Sequence, residues 1–360
     1  MEKFCCKTEI VSGAGAVEFL AELGAKRLFL VTDPFFAQNG EAKRIADGAK
    51  AQHVELFDKV QPDPSVELAA EGTVRLKAFD PDVIVALGGG SAIDLAKAIK
   101  YFGKSEKPMV AIPTTSGSGS EVTGFAILTH GGIKHPLIDP LLLPDIAILD
   151  SDLLMGLPKS LVADSGFDVL SHALEAFAAT DGGTVTDCLA REAFSMAYSA
   201  LPLSFAGQKE VRLKMHEASC LAGMAFTQAG LGICHAMSHA LGGIFHIPHG
   251  RLNAILLPAV IGVNASCAEK KYAQIARAAG IGGGADAIAV RNLRSGLIRM
   301  RRELKLPETL SQAGADIKLV QSESENIVKT ALADPCIKTN PVHANESILR
   351  QVLSEVTGRG

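Results

Sequence analysis

A short apolar run that ends directly in three glycines is the strongest constraint this sequence places on its own fold. Val83–Leu87 (VIVAL) has no polar interruption, and Gly88-Gly89-Gly90-Ser91 follows at once, leading into a helix-compatible stretch, Ala92–Tyr101. An uninterrupted apolar run of this length suits a strand covered on both faces, as in a parallel sheet. Glycines at its end let backbone approach a ligand closely, and the N–H groups at the start of the next helix favour an anion. Ser91 can add a hydroxyl donor. A Gly-rich turn can also merely join strand to helix, but this is the best candidate pyrophosphate site in the chain.

Similar segments flank it. Arg27–Thr32 (RLFLVT) ends at Asp33, Met109–Thr115 (MVAIPTT) is a third apolar run, and Ser65–Phe79 between them is helix-compatible. Alternation of this kind predicts an α/β domain with a mostly parallel sheet. From about residue 160 strand signals give way to helical spacing in Ser165–Ala179, Asp187–Leu201 and Val211–Phe226. The expected organisation is an α/β dinucleotide-binding domain over residues 1–157 and an all-α domain over 158–360. The boundary is expected near Met155–Ser160, where Gly156 and Pro158 punctuate the chain. A rival glycine pair, Gly13-Ala14-Gly15, has Glu18 where a third glycine would fall, follows no strong strand and reads as a turn.

Composition narrows the function classes. The 360 residues are 48% hydrophobic and carry a formal net charge of -4 with both signs mixed, which argues against nucleic acid or an anionic membrane as partner. Apolar runs such as Ala254–Val263 are broken by Pro258 and Gly262 and fall short of the ~18 residues of a membrane span. MEKFCCKTEI lacks signal-peptide shape, and seven cysteines without a CxxC pair suggest reduced thiols in the cytoplasm.

Two further clusters carry chemistry. Pro113–Glu121 holds five hydroxyl residues and two glycines between strand-like segments, so Thr114, Thr115 and Ser118 can wrap a cofactor rather than form a slack linker. Asp33, at the end of its strand, can bond a ribose hydroxyl and repel a 2′-phosphate, which predicts NAD over NADP; a turn aspartate before Pro34 is the plainer reading. Asp168 and His172 are four apart in a helical segment and share a face, about 5–6 Å apart at Cβ. Downstream, GICHAMSHALGGIFHIPHG carries His235, His239, His246 and His249 within fifteen residues. One aspartate and three histidines suit Fe²⁺ or Zn²⁺. His235 and His239 lie one helical turn apart, His249 sits at a loop position after Pro248, and His246 reads as structural. Spacing alone leaves the set ambiguous by one histidine.

At these residues the chain resembles the iron-containing, group III alcohol dehydrogenases. The matching segments are GGGSAIDLAK, IPTTSGSGSE, GFDVLSHALEAF and GICHAMSHALGGIFHIPHG, in the family's order and over nearly the whole chain. The resemblance implies a nucleotide-binding α/β domain and a helical metal-binding domain. Asp168, His172, His235 and His249 match the family's metal ligands, and His239 its nearby non-ligand histidine linked to substrate or proton transfer. Gly89, Gly90, Ser91 and Asp94 match the pyrophosphate segment, Thr114, Thr115 and Ser118 the second cofactor loop, and Asp33 the acidic residue tied to NAD preference. Within the family the likeness is greatest to propanol dehydrogenases of propanediol-utilising bacterial microcompartments, through residues 215–232, 132–139 and 338–341. The sequence departs from the family at Ser118, Phe167, Val342 and the short turn His130-Gly131-Gly132.

The expected activity is therefore NAD(H)- and Fe²⁺-dependent reduction of a short aldehyde such as propanal, with Zn²⁺ as the alternative metal. Phe125, Phe226 and Cys336 match substrate-pocket positions and would make a small apolar site, unless they merely pack an interior. The resemblance further implies a homodimer, cytoplasmic or inside a microcompartment beside an aldehyde dehydrogenase. Since the N-terminus shows no amphipathic extension, entry would be by binding another enzyme. Other family members oxidise or form ethanol, butanol or 1,2-propanediol. Zinc-dependent polyol oxidation of the glycerol dehydrogenase kind is the rival reading. A dehydroquinate synthase-type lyase needs a basic pocket, for which only Arg251 is offered near the histidines, and a non-enzymatic scaffold would not need the metal and nucleotide sets.

Overall fold

The computed structural model describes residues 4–131 and 133–358, so Gly132 of the short turn lies outside them. It divides into two compact units, Cys5–Leu157 and one running from Pro158 onward.

The N-terminal unit contains β1 (Glu9–Gly13), β2 (Arg27–Thr32), β3 (His53–Phe57), β4 (Val83–Gly88), β5 (Met109–Pro113), β6 (Phe125–His130), β7 (Ile133–Ile138) and β8 (Ile146–Asp150). Its helices are α1 (Pro34–Gln38), α2 (Glu41–Gly48), α3 (Val66–Phe79) and α4 (Gly90–Gly103). Six strands form a parallel sheet in the order β1-β8-β5-β4-β2-β3, while β6 and β7 form a separate antiparallel hairpin. Successive side chains of a strand point to opposite faces, so β2 and β4 each feed two cores. Phe29, Val31, Ile84 and Ala86 pack on one side with α3 and α4. Leu28, Leu30, Val83, Val85 and Leu87 pack on the other with α2.

The strand that precedes the Gly13–Gly15 turn is a weak one, β1 at the sheet's edge. Among the described residues β1 pairs with β8 alone, and none of its residues is buried, so it lacks the continuous apolar run that marks β4. The turn itself bonds within the protein: Gly15 and Val17 N–H both donate to the Asp150 carboxylate at 3.1 Å.

The second unit is helical: α5 (Lys159–Ala178), α6 (Thr184–Ala206), α7 (Arg212–Ala229), α8 (Ile233–Phe245), α9 (His249–Ala278) and α10 (Asp286–Glu303), then shorter helices. By length and hydropathy α9 could cross a membrane, but most of its apolar surface is buried against its neighbours. Pro258 inside α9 has no N–H to give the Ala254 carbonyl. The buried Arg301 of α10 takes over, its Nη1 donating to that oxygen at 3.2 Å, and Arg294 Nε donates to Pro258 O at 2.7 Å. These bonds carry the helix that begins at His249 past the proline, and it kinks only further on, at Ala268.

Candidate active site

In the N-terminal unit the residues expected to bind the cofactor gather at the carboxyl ends of neighbouring strands. β2 leads outward to β3, whereas β4 leads toward β5 and β8, so the strand order reverses between β2 and β4. Ligands bind at such a switch point in open α/β sheets. Asp33 closes β2 and caps α1, accepting Phe36 N–H on Oδ1 at 3.1 Å. Gly88, at φ 149°, ends β4, and α4 starts at Gly90, so its first-turn N–H groups open at this turn. The hydroxyl loop packs on the glycines: Thr114 N–H donates to Gly88 O at 3.0 Å, and a Cβ on Gly90 would meet Ser118 Oγ at 3.0 Å.

Asp94 holds this loop rather than pointing free. Its two oxygens accept from Ser120 Oγ at 2.5 Å and Ile127 N at 3.0 Å. One turn on, the fully buried Lys97 donates to Ser120 Oγ, Thr123 O, Thr123 Oγ1 and Phe125 O at 2.7–3.2 Å. Burial brings its ammonium down to about 8 despite Asp94 and Glu121. Phe125, expected at the substrate, thus lies at the start of β6 with its carbonyl bound to Lys97.

In the helical unit, donor atoms of Asp168, His235 and His249 lie within 4.8 Å of one another. They come from α5, α8 and the first residue of α9. The Asn253 amide nitrogen sits among them, 2.7 Å from Asp168 Oδ1, 3.2 Å from His249 Nε2 and 3.4 Å from His235 Nε2. Three acceptors thus converge on one electropositive group. Burial works against charge on His235, yet hydrogen bonds to the Asp168 and Glu175 carboxylates raise its imidazole to about 9. Burial likewise opposes ionisation of Asp168, but His172, His249 and His235 hold its carboxyl far below the usual range. Oxygen and imidazole donors in a buried place that favours positive charge fit a divalent cation such as Fe²⁺ or Zn²⁺. His172 is beside this trio, its ring stacked between Phe226 at 4.4 Å and His235 at 4.5 Å. Phe226, a candidate pocket residue, backs His172 and keeps 5% of its surface exposed.

His239 shares a face of α8 with His235 and stacks on His249 at 5.2 Å, 17° from parallel. Its Nδ1 lies 2.8 Å from Asp334 Oδ2. Cys336 closes this second cluster, with donor atoms of all three within 4.8 Å of one another. Burial and the Asp334 charge push its thiol well above the ordinary range, so it offers a neutral, weakly polar surface. His246 takes a left-handed conformation as the C-cap of α8.

Three residues of this site escaped the sequence reading. Glu175 accepts from Gly232 N at 3.0 Å, Cys234 N at 2.7 Å and His235 N at 3.3 Å, and bonds His235 Nδ1 at 2.6 Å. A carboxylate on Nδ1 turns Nε2 toward the metal position, the usual support for a ligating imidazole. Asn253 and Asp334 are the others. A signal existed for two: Asp168, His172 and Glu175 fall at i, i+4 and i+7, and Asn253 is four after His249.

The comparisons with known proteins agree with this geometry. Residues 7–151 match the model of the iron-containing alcohol dehydrogenases, and residues 162–357 match the C-terminal model of the Fe-containing alcohol dehydrogenase family. The chain is 39% identical over 370 residues to the 1-propanol dehydrogenase PduQ of Citrobacter freundii, covering 99% of this chain and 100% of that one. It is 36% identical over 381 residues to the NADPH-dependent butanol dehydrogenase of Clostridium saccharobutylicum, covering 98% and 97%. The solved iron-containing alcohol dehydrogenase of Thermococcus thioreducens superposes with a TM-score of 0.91 at 33% identity, covering 99% and 100%. With both halves matched and the donor cluster in place, the chain belongs to the iron-containing alcohol dehydrogenase family.

Proposed function

We propose that this enzyme reduces a short-chain aldehyde, propanal foremost, to the primary alcohol while NADH becomes NAD⁺. The observation that carries the reading is the convergence of Asp168, His235 and His249 with His239 ranged alongside. Likeness to the Citrobacter 1-propanol dehydrogenase supports the choice of aldehyde. The same reading takes the enzyme as a homodimer, cytoplasmic or carried in a microcompartment beside an aldehyde dehydrogenase that consumes the NAD⁺.

Asp168, His235 and His249, with His172 next to them, would hold Fe²⁺, Zn²⁺ being the alternative. When bound, the metal supplies Lewis acidity toward the substrate oxygen, and the nicotinamide supplies the hydride. Asp168 contributes the negative charge that retains a dication. Glu175 fixes the imidazole of His235 so that Nε2 faces inward. His239 exchanges the proton: Asp334 accepts from Nδ1, which leaves the Nε2 lone pair to take the proton of the alcohol in oxidation and, once it carries that proton, to return it to the alkoxide oxygen in reduction.

Phe226 and Cys336 are read as apolar lining. A second hydroxyl buried there without a partner costs about 1–3 kcal/mol, roughly ten- to a hundredfold in specificity. Propanal should therefore exceed lactaldehyde in kcat/KM by that factor. Equal values, or a preference for lactaldehyde, would show that the pocket is not apolar.

Cofactor choice rests on Asp33. Glycine is a tolerable N-cap, so Asp33→Gly costs α1 only a few tenths of a kcal/mol. It should raise kcat/KM for NADPH and lower it for NADH by removing the charge that repels a 2′-phosphate. The idea fails if the unaltered enzyme already uses both cofactors equally well.

A further inference from the structure

The proton-exchanging side of the site holds a contact that the metal ligands do not explain. Asp334 follows the helix Ser324–Ala333 and caps the turn Pro335–Thr339, its Oδ1 accepting Cys336 N–H at 2.8 Å. Its other oxygen, Oδ2, meets His239 Nδ1 at 2.8 Å across 95 residues of sequence. An ionised carboxylate can only accept, so Nδ1 must carry the ring proton and Nε2 a lone pair. The ring plane is fixed from its other side by the stack on His249.

We propose that Asp334 is a positioning residue for His239, setting its tautomer and ring plane beside the metal cluster. The proposal rests on the reading of His239 as the proton-exchanging group. His239, Asp334 and Cys336 are also donors that could surround a soft cation, but both Asp334 oxygens are already engaged, one by a backbone N–H and one by the imidazole. That engagement favours the dyad over a second metal site.

The test is a double-mutant cycle on metal-replete enzyme. In Asp334→Asn the amide oxygen can still cap Cys336 N–H, but an N–H now faces Nδ1 and forces the other tautomer on His239. The kcat for propanal reduction should fall about ten- to a hundredfold, the range of a general acid–base contribution at its lower end. KM for NADH and metal content should hold, and Asp334→Glu should recover part of the loss. In a His239→Ala background, Asp334→Asn should add less than about twofold, within the error of additivity. Asp334→Ser, which keeps a capping oxygen without the carboxylate, serves if the amide variant does not fold. An Asp334 effect undiminished without His239, or near-normal kcat in Asp334→Asn when His239→Ala is crippled, would overturn the proposal. Near-normal turnover of His239→Ala alone would instead overturn the reading of His239. A second equivalent of metal in the unaltered enzyme, lost in Cys336→Ala, would make the trio a cation site and also overturn the dyad.

Discussion

His249→Ala is expected to leave a folded protein that binds little metal and reduces propanal at least about a hundredfold more slowly, the upper end of what even supporting contacts to a metal site cost. His249 Nε2 lies 3.4 Å from Asp168 Oδ1, and both face the Asn253 amide. Truncation removes one of the three donors that converge here. The fold should persist: His249 is the first residue of α9 and only partly buried, so its loss opens the rim of the unit rather than its core. Asn253 keeps its bond to Asp168. Metal analysis of protein purified without oxygen, circular dichroism and propanal-dependent NADH oxidation check each part. Full metal occupancy with near-normal turnover would remove His249 from the ligand set.

What the sequence disclosed followed burial. β2, β4 and β5 lie inside the sheet, are apolar but for Arg27 and Thr32 at the ends of β2, and stand within two residues of where their runs predict, whereas β8, buried along its whole length, is the exception that went unread. β1 and β3 form the edges and carry mixed residues such as Glu9, Ser12, His53 and Glu55, so no pattern announces them. Helix α5 begins at Lys159, six residues before the predicted stretch, and its first three residues are exposed.

At the site, the histidines stood out because four of them in an apolar segment have little other use. Which atoms converge depends on packing between α5, α8 and α9, and spacing could not show that His172 stacks on His235 while the other three donors face one point. Glu175 and Asp334 act across 60 and 95 residues, and a lone carboxylate in a helix or turn gives no sign of its distant partner. Asp94 matches the family's pyrophosphate segment only by resemblance. Its neighbours Ser120 and Ile127, brought close by the fold, take up both oxygens.

Gly250 of the histidine segment has a reason that sequence could not supply, and it yields the second large effect. A Cβ on Gly250 would lie 2.0 Å from the Asp164 carbonyl oxygen and 2.6 Å from its carbon, both backbone atoms of α5. The contact is clamped by Arg251, whose Nε and Nη2 donate to the two Asp164 oxygens at 3.1 and 2.9 Å. Asp168 is one turn along α5 from this junction, and His249 is the residue before Gly250. Helix α9 can bring His249 to Asp168 because glycine lets the two backbones touch. Gly250→Ala should wedge them apart, and since backbone cannot swing aside as a side chain can, the strain should be about 1–3 kcal/mol. In a unit of this size that lowers the melting temperature by about 2–10 °C. The spacing of the ligand donors should suffer more than the fold, with metal affinity down at least about tenfold. Gly243→Ala is the matched control: it lies on the exposed face of α8 with nothing within 4 Å of its added carbon, so it should keep metal and activity and gain up to about 1 kcal/mol from a less flexible unfolded chain. If Gly250→Ala melts and binds iron like its parent, the approach of α9 to α5 does not set the distance between Asp168 and His249.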